Sequence, residues 1–342
     1  MAGLFPHLTP RTAFLVLVTV FLLTVNLAVG QAPEPAPILA HRVELAFDTE
    51  GHSVQIMDHV VVPAGLDHLR LGTGFKVEIL KGAAGASALP GSAVFPAADE
   101  NGPFQKLDLA VLGLAETGGD LTVVYKGVFH EPVDDVVFSR ENVGGEITAT
   151  IGEEGIYLSS GAGWLSWAEG TLATYDLKID TPAGFETVTQ GQRTEHSENL
   201  GRLRTRWVAV NPSDGVNLIA NHYFVHEEPV RDGVVSYTFF LEDDSRLRAT
   251  YMERTRTYIA MYEEMIGSYP YSKFATVENW FPTGYGMPSY TLLGSQVLRL
   301  PFIPYTSFGH EIAHNWWGNS VFVDVSEGNW CEGLTVYCAD YH

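Results

Sequence analysis

Apolar and polar residues alternate from His41 to about Asp244. Val43, Leu45 and Phe47 are interleaved with Arg42, Glu44 and Ala46, and Val54, Ile56, Val60 and Val62 repeat the pattern beyond a turn at 48–51. A period of two sends successive side chains to opposite faces, which is the mark of a half-buried strand. Further strands are predicted at 174–179, 203–210, 216–225 and 233–241, together with a hairpin in which 107–112 and 121–125 flank Thr117-Gly118-Gly119-Asp120. Short strands, Gly-rich turns and no long helical period predict an antiparallel β domain over 41–244.

The period changes near Ser245. Ser245 is placed to cap a helix in which Leu247, Tyr251, Tyr258, Tyr262 and Met265 share one side, ending at Gly267. A second domain, 245–342, therefore starts here. Tyr269-Pro270-Tyr271 forms a turn into a strand at 274–280. Residues 282–288 read as a Gly-rich loop and 290–300 as a second strand, leading through Pro301 and Pro304 to a helix at 310–314.

Composition narrows the setting. A net charge of -21, from 41 acidic and 20 basic residues, excludes nucleic acid and anionic membrane surfaces as partners, because both would be repelled. Residues 1–30 read as a secretory signal: Arg11, an apolar run over 13–27 and the small residues Ala28-Val29-Gly30. The run is short for a membrane span and lacks stop-transfer charges. Cleavage and export to a periplasm or the cell exterior are expected, followed by an extended linker at 31–40; retention as an N-terminal membrane anchor is the alternative. Export permits disulfides, but Cys331 and Cys338 are the only cysteines. On one helix they would stand about 10 Å apart, too far to bridge.

The chemistry lies near the C-terminal end, in Gly309-His310-Glu311-Ile312-Ala313-His314-Asn315-Trp316-Trp317-Gly318-Asn319. On a helix, His310 and His314 fall one turn apart on one face, where two imidazole nitrogens can hold a single Zn²⁺. Glu311 is then placed to act on a metal-bound water. Glu332, in Asn329-Trp330-Cys331-Glu332-Gly333, can return as a third ligand and leave a fourth position open, as in catalytic rather than structural zinc sites. Glu327 is a weaker ligand candidate, and Cys331 could ligate only in a different helix register. His222 and His226 share the four-residue spacing but lie in an extended stretch, about 13 Å apart, and cannot share a metal. A strand, a Gly-rich loop, a second strand and then this helix suit peptide hydrolysis, because an edge strand can hold an extended substrate by its main chain.

These residues resemble the aminopeptidase N-like zinc metallopeptidases, a gluzincin family with leukotriene hydrolase-like members. The H-E-x-x-H-x-W-x-G-N pattern is matched by His310, Glu311, His314, Trp316, Gly318 and Asn319, and the later E-G by Glu332 and Gly333. Gly267-Ser268-Tyr269-Pro270-Tyr271 is similar to the turn before the family's substrate strand, and Glu154-Gly155-Ile156-Tyr157-Leu158 with Trp164 to a segment of its β domain. The resemblance implies an α+β fold: a saddle-like antiparallel β domain followed by the first part of a thermolysin-like catalytic domain. It also implies His310, His314 and Glu332 as zinc ligands, Glu311 as general base, and peptide substrates.

Three departures set further expectations. His314 and Glu332 are separated by 17 residues where the family has 18. The family's G-A-M-E-N loop, whose Glu binds the substrate α-amino group, corresponds to Tyr285-Gly286-Met287-Pro288-Ser289, so Pro288 stands in place of the carboxylate. Gly286, Met287, Pro288 and Ser289 are substrate-binding candidates, and Glu278 is the candidate replacement acid. The family's oxyanion-steadying tyrosine and closing helical lobe fall beyond the third ligand, whereas this chain stops at His342, and Tyr337 reads as a core residue. The expectation is a fragment of an exported zinc metallopeptidase, an aminopeptidase first. The alternatives are a zinc peptidase or hydrolase that is not a strict aminopeptidase, and a secreted binding module with a vestigial, non-catalytic metallopeptidase domain.

Overall fold

The computed structural model describes residues 35–82, 87–88, 90–99, 102–133, 147–324 and 328–340. The signal sequence expected at 1–30 and residues 31–34 of the linker expected at 31–40 lie outside the described residues, as does Glu327, and the end of that linker, from Ile38, is already strand. Among the described residues the largest sheet has eight strands in the spatial order β13 (Gln192–Asn199), β14 (Arg202–Ser213), β11 (Leu172–Pro182), β1 (Ile38–Asp48), β2 (Ser53–Val62), β8 (Gly119–Val128), β4 (Phe75–Lys81), β5 (Ser87–Ala88). Strands β1 and β2 bury alternate residues, so the period of two read from their sequence does mark one buried face. Neighbours are antiparallel except β1 and β11, which run parallel.

Two smaller sheets complete the β region: β12 (Glu186–Val188), β15 (Leu218–Asn221), β10 (Gly155–Leu158), β9 (Ala149–Gly152) in one, and β3 (His68–Gly72), β7 (Gly102–Asp108), β6 (Val94–Asp99) in the other. The hairpin expected between 107–112 and 121–125 does not form. Strand β7 ends at Asp108 and pairs with β3 and β6, while β8 pairs with β2 and β4. Leu109, Leu112 and Leu114 mimic strand periodicity because they are buried from a turn.

The fourth sheet places the site. Its order is β16 (Phe224–Arg231), β17 (Val234–Phe240), β18 (Lys273–Asn279), β20 (Tyr290–Gly294), β19 (Gly284–Met287). The single strand expected at 216–225 is divided, with β15 in one sheet and β16 in another. Because β16 and β17 join β18, this sheet crosses the expected boundary at 244/245, and Pro37–His342 form one compact unit. All seven residues of β18 are buried, since both faces of the sheet are covered. Ala275 and Val277 enter the core shared with the large sheets, and Phe274 enters a second core beneath the helices.

Those helices are α1 (Ser245–Met265), α2 (Ser307–Ala313) and α3 (Cys331–Asp340), with single helical turns at 90–93 and 295–298. Asp244, one residue before the expected cap, starts α1 by accepting from the Arg246 and Leu247 amides, a contribution of about 1 kcal/mol. The tyrosines predicted to share one side of α1 anchor the chain between the sheet and the metal helix. Tyr251 donates to the Leu298 carbonyl, Tyr258 to Pro304 and Tyr262 to Gly309. Gly267 takes φ +135 just past the helix, as a C-terminal glycine should. No helix among the described residues is long and apolar enough to cross a membrane.

Candidate metal centre

His310 lies in the last turn of α2 and His314 is its C-cap, so the helical spacing brings their rings together with centroids 4.7 Å apart. Glu332 reaches them from the first turn of α3. The His310 and His314 Nε2 atoms are 3.1 Å apart, and the Glu332 carboxylate lies 3.3 Å from the first and 3.5 Å from the second. Four ligands held tetrahedrally at 2.0–2.1 Å from a zinc ion would be about 3.3 Å from one another. The carboxylate approaches His310 with Oε2 and His314 with Oε1, so all three side chains converge at spacings close to this, and the residues present fit the ion.

The protonation chemistry agrees. His314 Nδ1 faces the Trp317 carbonyl at 3.1 Å, so the proton belongs on Nδ1 and the lone pair on Nε2. Burial and the neighbouring His314 hold His310 below its usual value, favouring the neutral ring that binds metal. The connection of 17 residues therefore still closes the cluster. Cys331 is not part of it: its Sγ lies 3.7 Å from His314 Nδ1, behind the ligand, and 3.3 Å from the Trp317 carbonyl. Gly318 takes φ +99 there, and a Cβ on it would come within 2.8 Å of that sulfur, so only glycine fits. Cys331 and Cys338 are buried free thiols.

Glu311 sits beside the cluster with its carboxyl pushed up to about 7, first by burial and then by the charge of Glu332. Gly286 of β19 lies against it. A Cβ at Gly286 would stand 2.8 Å from Glu311 Oε2 and 3.1 Å from His314 Cδ2, so the missing side chain lets the strand approach the Glu311 carboxyl. The Gly294 amide donates to Thr283 across the hairpin, and Met287 pairs with Tyr290. By antiparallel alternation the main-chain groups of Gly284 and Gly286 then face away from β20. Strand β19 is the sheet's edge, and Asn319 Nδ2 already donates to the Gly286 carbonyl at 3.3 Å. The stretch read as a Gly-rich loop is thus a hairpin strand presenting an open edge.

Other candidates take different places. Met287 and Pro288 line a cavity of about 440 Å³ with Tyr157, Asn217, Tyr285 and Asn319. Ser289 does not face it. Its side chain is fully buried, accepting from the Gly191 amide, and Lys273 donates to it. Glu278 is 1 % exposed and committed: it accepts from the Leu241 amide at 2.9 Å and pairs with Arg299. It is not a free acid for a substrate amine. Tyr337 is 59 % exposed rather than core. His222 faces the Gly184 carbonyl and His226 faces Glu228, so these histidines have separate partners. A larger cavity of about 510 Å³ lies on the open face of the large sheet, where Lys178 is paired with Glu44 and Arg204 with Asp180.

The supports of the site escape a reading of the sequence. Tyr269 donates to the Asn315 side chain and Tyr271 to the Asn319 carbonyl, fastening the Tyr269-Pro270-Tyr271 turn to the metal helix and the segment after it. Lys273 opens the strand KFATVEN, whose polar residues hide that all seven positions are buried.

This sheet-rich α+β fold is shared with the M1 zinc metallopeptidases. The M1 zinc metallopeptidase from Deinococcus radiodurans is similar at 16% identity and TM-score 0.62, covering 89% of this chain and 69% of that one. A mutant of that enzyme, solved bound to a Tyr-Ser-Ala substrate, is 14% identical, with TM-score 0.62 and the same coverage. Native yeast LTA4 hydrolase has TM-score 0.65 at 15% identity, covering 92% of this chain and 51% of its own. At these identities the likeness is one of fold. No family model matches the chain, and no curated protein does.

Proposed function

We propose that this protein is an exported zinc-dependent metallopeptidase that hydrolyses peptide bonds, with release of N-terminal residues as its first expected activity. The observation that carries the reading is the convergence of His310, His314 and Glu332, whose nitrogens and carboxylate oxygens stand 3.1–3.5 Å apart, close to the spacing of ligands around one zinc ion. Zinc held there would supply a Lewis acid for the scissile carbonyl and lower the pKa of a water. Glu311 serves as general base, taking a proton from the attacking water and handing it to the leaving amine. The outward-facing main chain of Gly286 pairs with an extended substrate and aligns one carbonyl with the site. Met287 and Pro288 line the adjoining cavity, where substrate side chains lodge.

A second reading, a zinc peptidase not restricted to chain ends, is favoured by one observation. Neither Pro288 nor the Arg299-paired Glu278 offers a carboxylate to a substrate amine. Comparing free-amine with N-acetylated peptides separates the two, since preference for blocked peptides would remove the aminopeptidase label. Glu311→Gln tests the mechanism itself. Turnover should fall by about 10²–10⁴ with zinc content unchanged, and near-full activity would defeat the assignment.

A further inference from the structure

Lys273 is a buried lysine that the proposed reaction leaves unused. It opens β18 at 1 % exposure, and among the described residues no carboxylate pairs with it. Its Nζ donates to Ser289 Oγ at 2.9 Å and to the Ser289 carbonyl at 3.2 Å, and lies 5.3 Å from the ring centres of both Trp207 and Tyr290. Burial draws its pKa well below the ordinary lysine value. The two acceptors match the two N–H groups of a neutral amine, so the uncharged side chain is satisfied where it sits.

Its partner is unusual. Ser289 holds φ +70, a left-handed conformation that a non-glycine residue adopts only when its surroundings impose it. Pro288-Ser289 is the two-residue turn between β19 and β20, and a proline followed by a residue at positive φ is the type II pattern, which prefers glycine second. Ser289 is held on every side: its amide donates to Asn315 Oδ1 at 2.8 Å, and its Oγ accepts from the Gly191 amide at 3.2 Å. Asn315 lies next to His314, and Gly286 lies three residues before Ser289, against Glu311. The chain of contacts therefore runs from Lys273 through the turn to the base and a ligand.

We propose that Lys273 is a positioning residue for the peptidase reaction: by clamping Ser289 in its left-handed conformation, it holds the register of β19 against Glu311 and His314. The proposal rests on the peptidase reading for its kinetic consequence but not for its structural one. Lys273→Met keeps the length of the side chain and removes the donors. In the full-length zinc-loaded protein, kcat should fall about tenfold with KM little changed, because the edge strand is displaced rather than lost. Zinc content should be unchanged. Amide hydrogen exchange over 284–290 should quicken by about tenfold.

The decisive variant is Lys273→Met with Ser289→Gly. Glycine takes the left-handed turn unaided, so the pair should recover both slow exchange and kcat, which a generic core role for Lys273 would not allow. Wild-type kcat and exchange in Lys273→Met, or no recovery in the double variant, overturns the proposal. If Lys273→Met alone does not fold, the double variant must; its failure to fold overturns the proposal equally. If the wild-type protein cleaves no peptide, the peptidase reading fails and the exchange data still decide the clamp.

Discussion

Gly286→Ala is the sharpest probe of how closely the edge strand and the base are fitted. Gly286 is not at positive φ, so alanine introduces no backbone strain and acts by volume alone. The added Cβ would stand 2.8 Å from Glu311 Oε2, 3.1 Å from His314 Cδ2 and 3.2 Å from His314 Cβ. An ordinary carbon–oxygen contact is about 3.4 Å, so about 0.6 Å must be found, and it comes from the free end of Glu311 rather than from His314 Cβ, which is fixed to its helix. A 1 Å misplacement costs about 10²-fold, so roughly half that displacement should cost kcat/KM about tenfold, or 1.4 kcal/mol in the barrier. The assay is steady-state cleavage of a peptide by zinc-loaded protein, with zinc content and thermal midpoint measured alongside. Both should stay close to wild type. If the clash acts through Glu311, adding Gly286→Ala to Glu311→Ala should cost nothing further, because the obstructing oxygens are gone. Full activity in Gly286→Ala, or a loss that adds undiminished to that of Glu311→Ala, would refute the reasoning.

Glu332→Gln should lower zinc affinity by more than the roughly 10–100-fold that loss of an outer hydrogen bond costs, as read by metal content after competition with a chelator; unchanged affinity would remove Glu332 from the ligand set. Lys273 should leave a mark on stability against pH. Its folded pKa is depressed, so between that value and the unfolded value of about 10.4 the unfolded chain binds more protons, and stability rises with pH and is lost as pH falls. Relative to Lys273→Met, the wild-type protein should gain up to about 1.4 kcal/mol per pH unit within that window; parallel denaturation midpoints for the two proteins would contradict the burial argument.

The candidate ligand pair was legible because helical spacing is local. Four residues make one turn, so His310 and His314 could be placed on one face from the sequence alone, and the tyrosines of α1 likewise. Alternation marked β1 and β2 for the same reason. Partner choice was not legible. Nothing local says that β7 joins β3 and β6, or that Leu109, Leu112 and Leu114 are buried from a turn. Glu278 and Ser289 show the limit most clearly. Each is a polar residue close in sequence to the candidate loop, yet Arg299 claims one and Lys273 the other, because a buried polar group must find a partner and only the packed chain decides which. By itself the sequence determined the candidate metal-binding pair, the carboxylate beside it and the strands leading to them, through spacings of a few residues. The closing of Glu332 onto the histidines, the open edge of β19 and the turn that registers it depend on contacts between distant segments, and these only the tertiary structure decided.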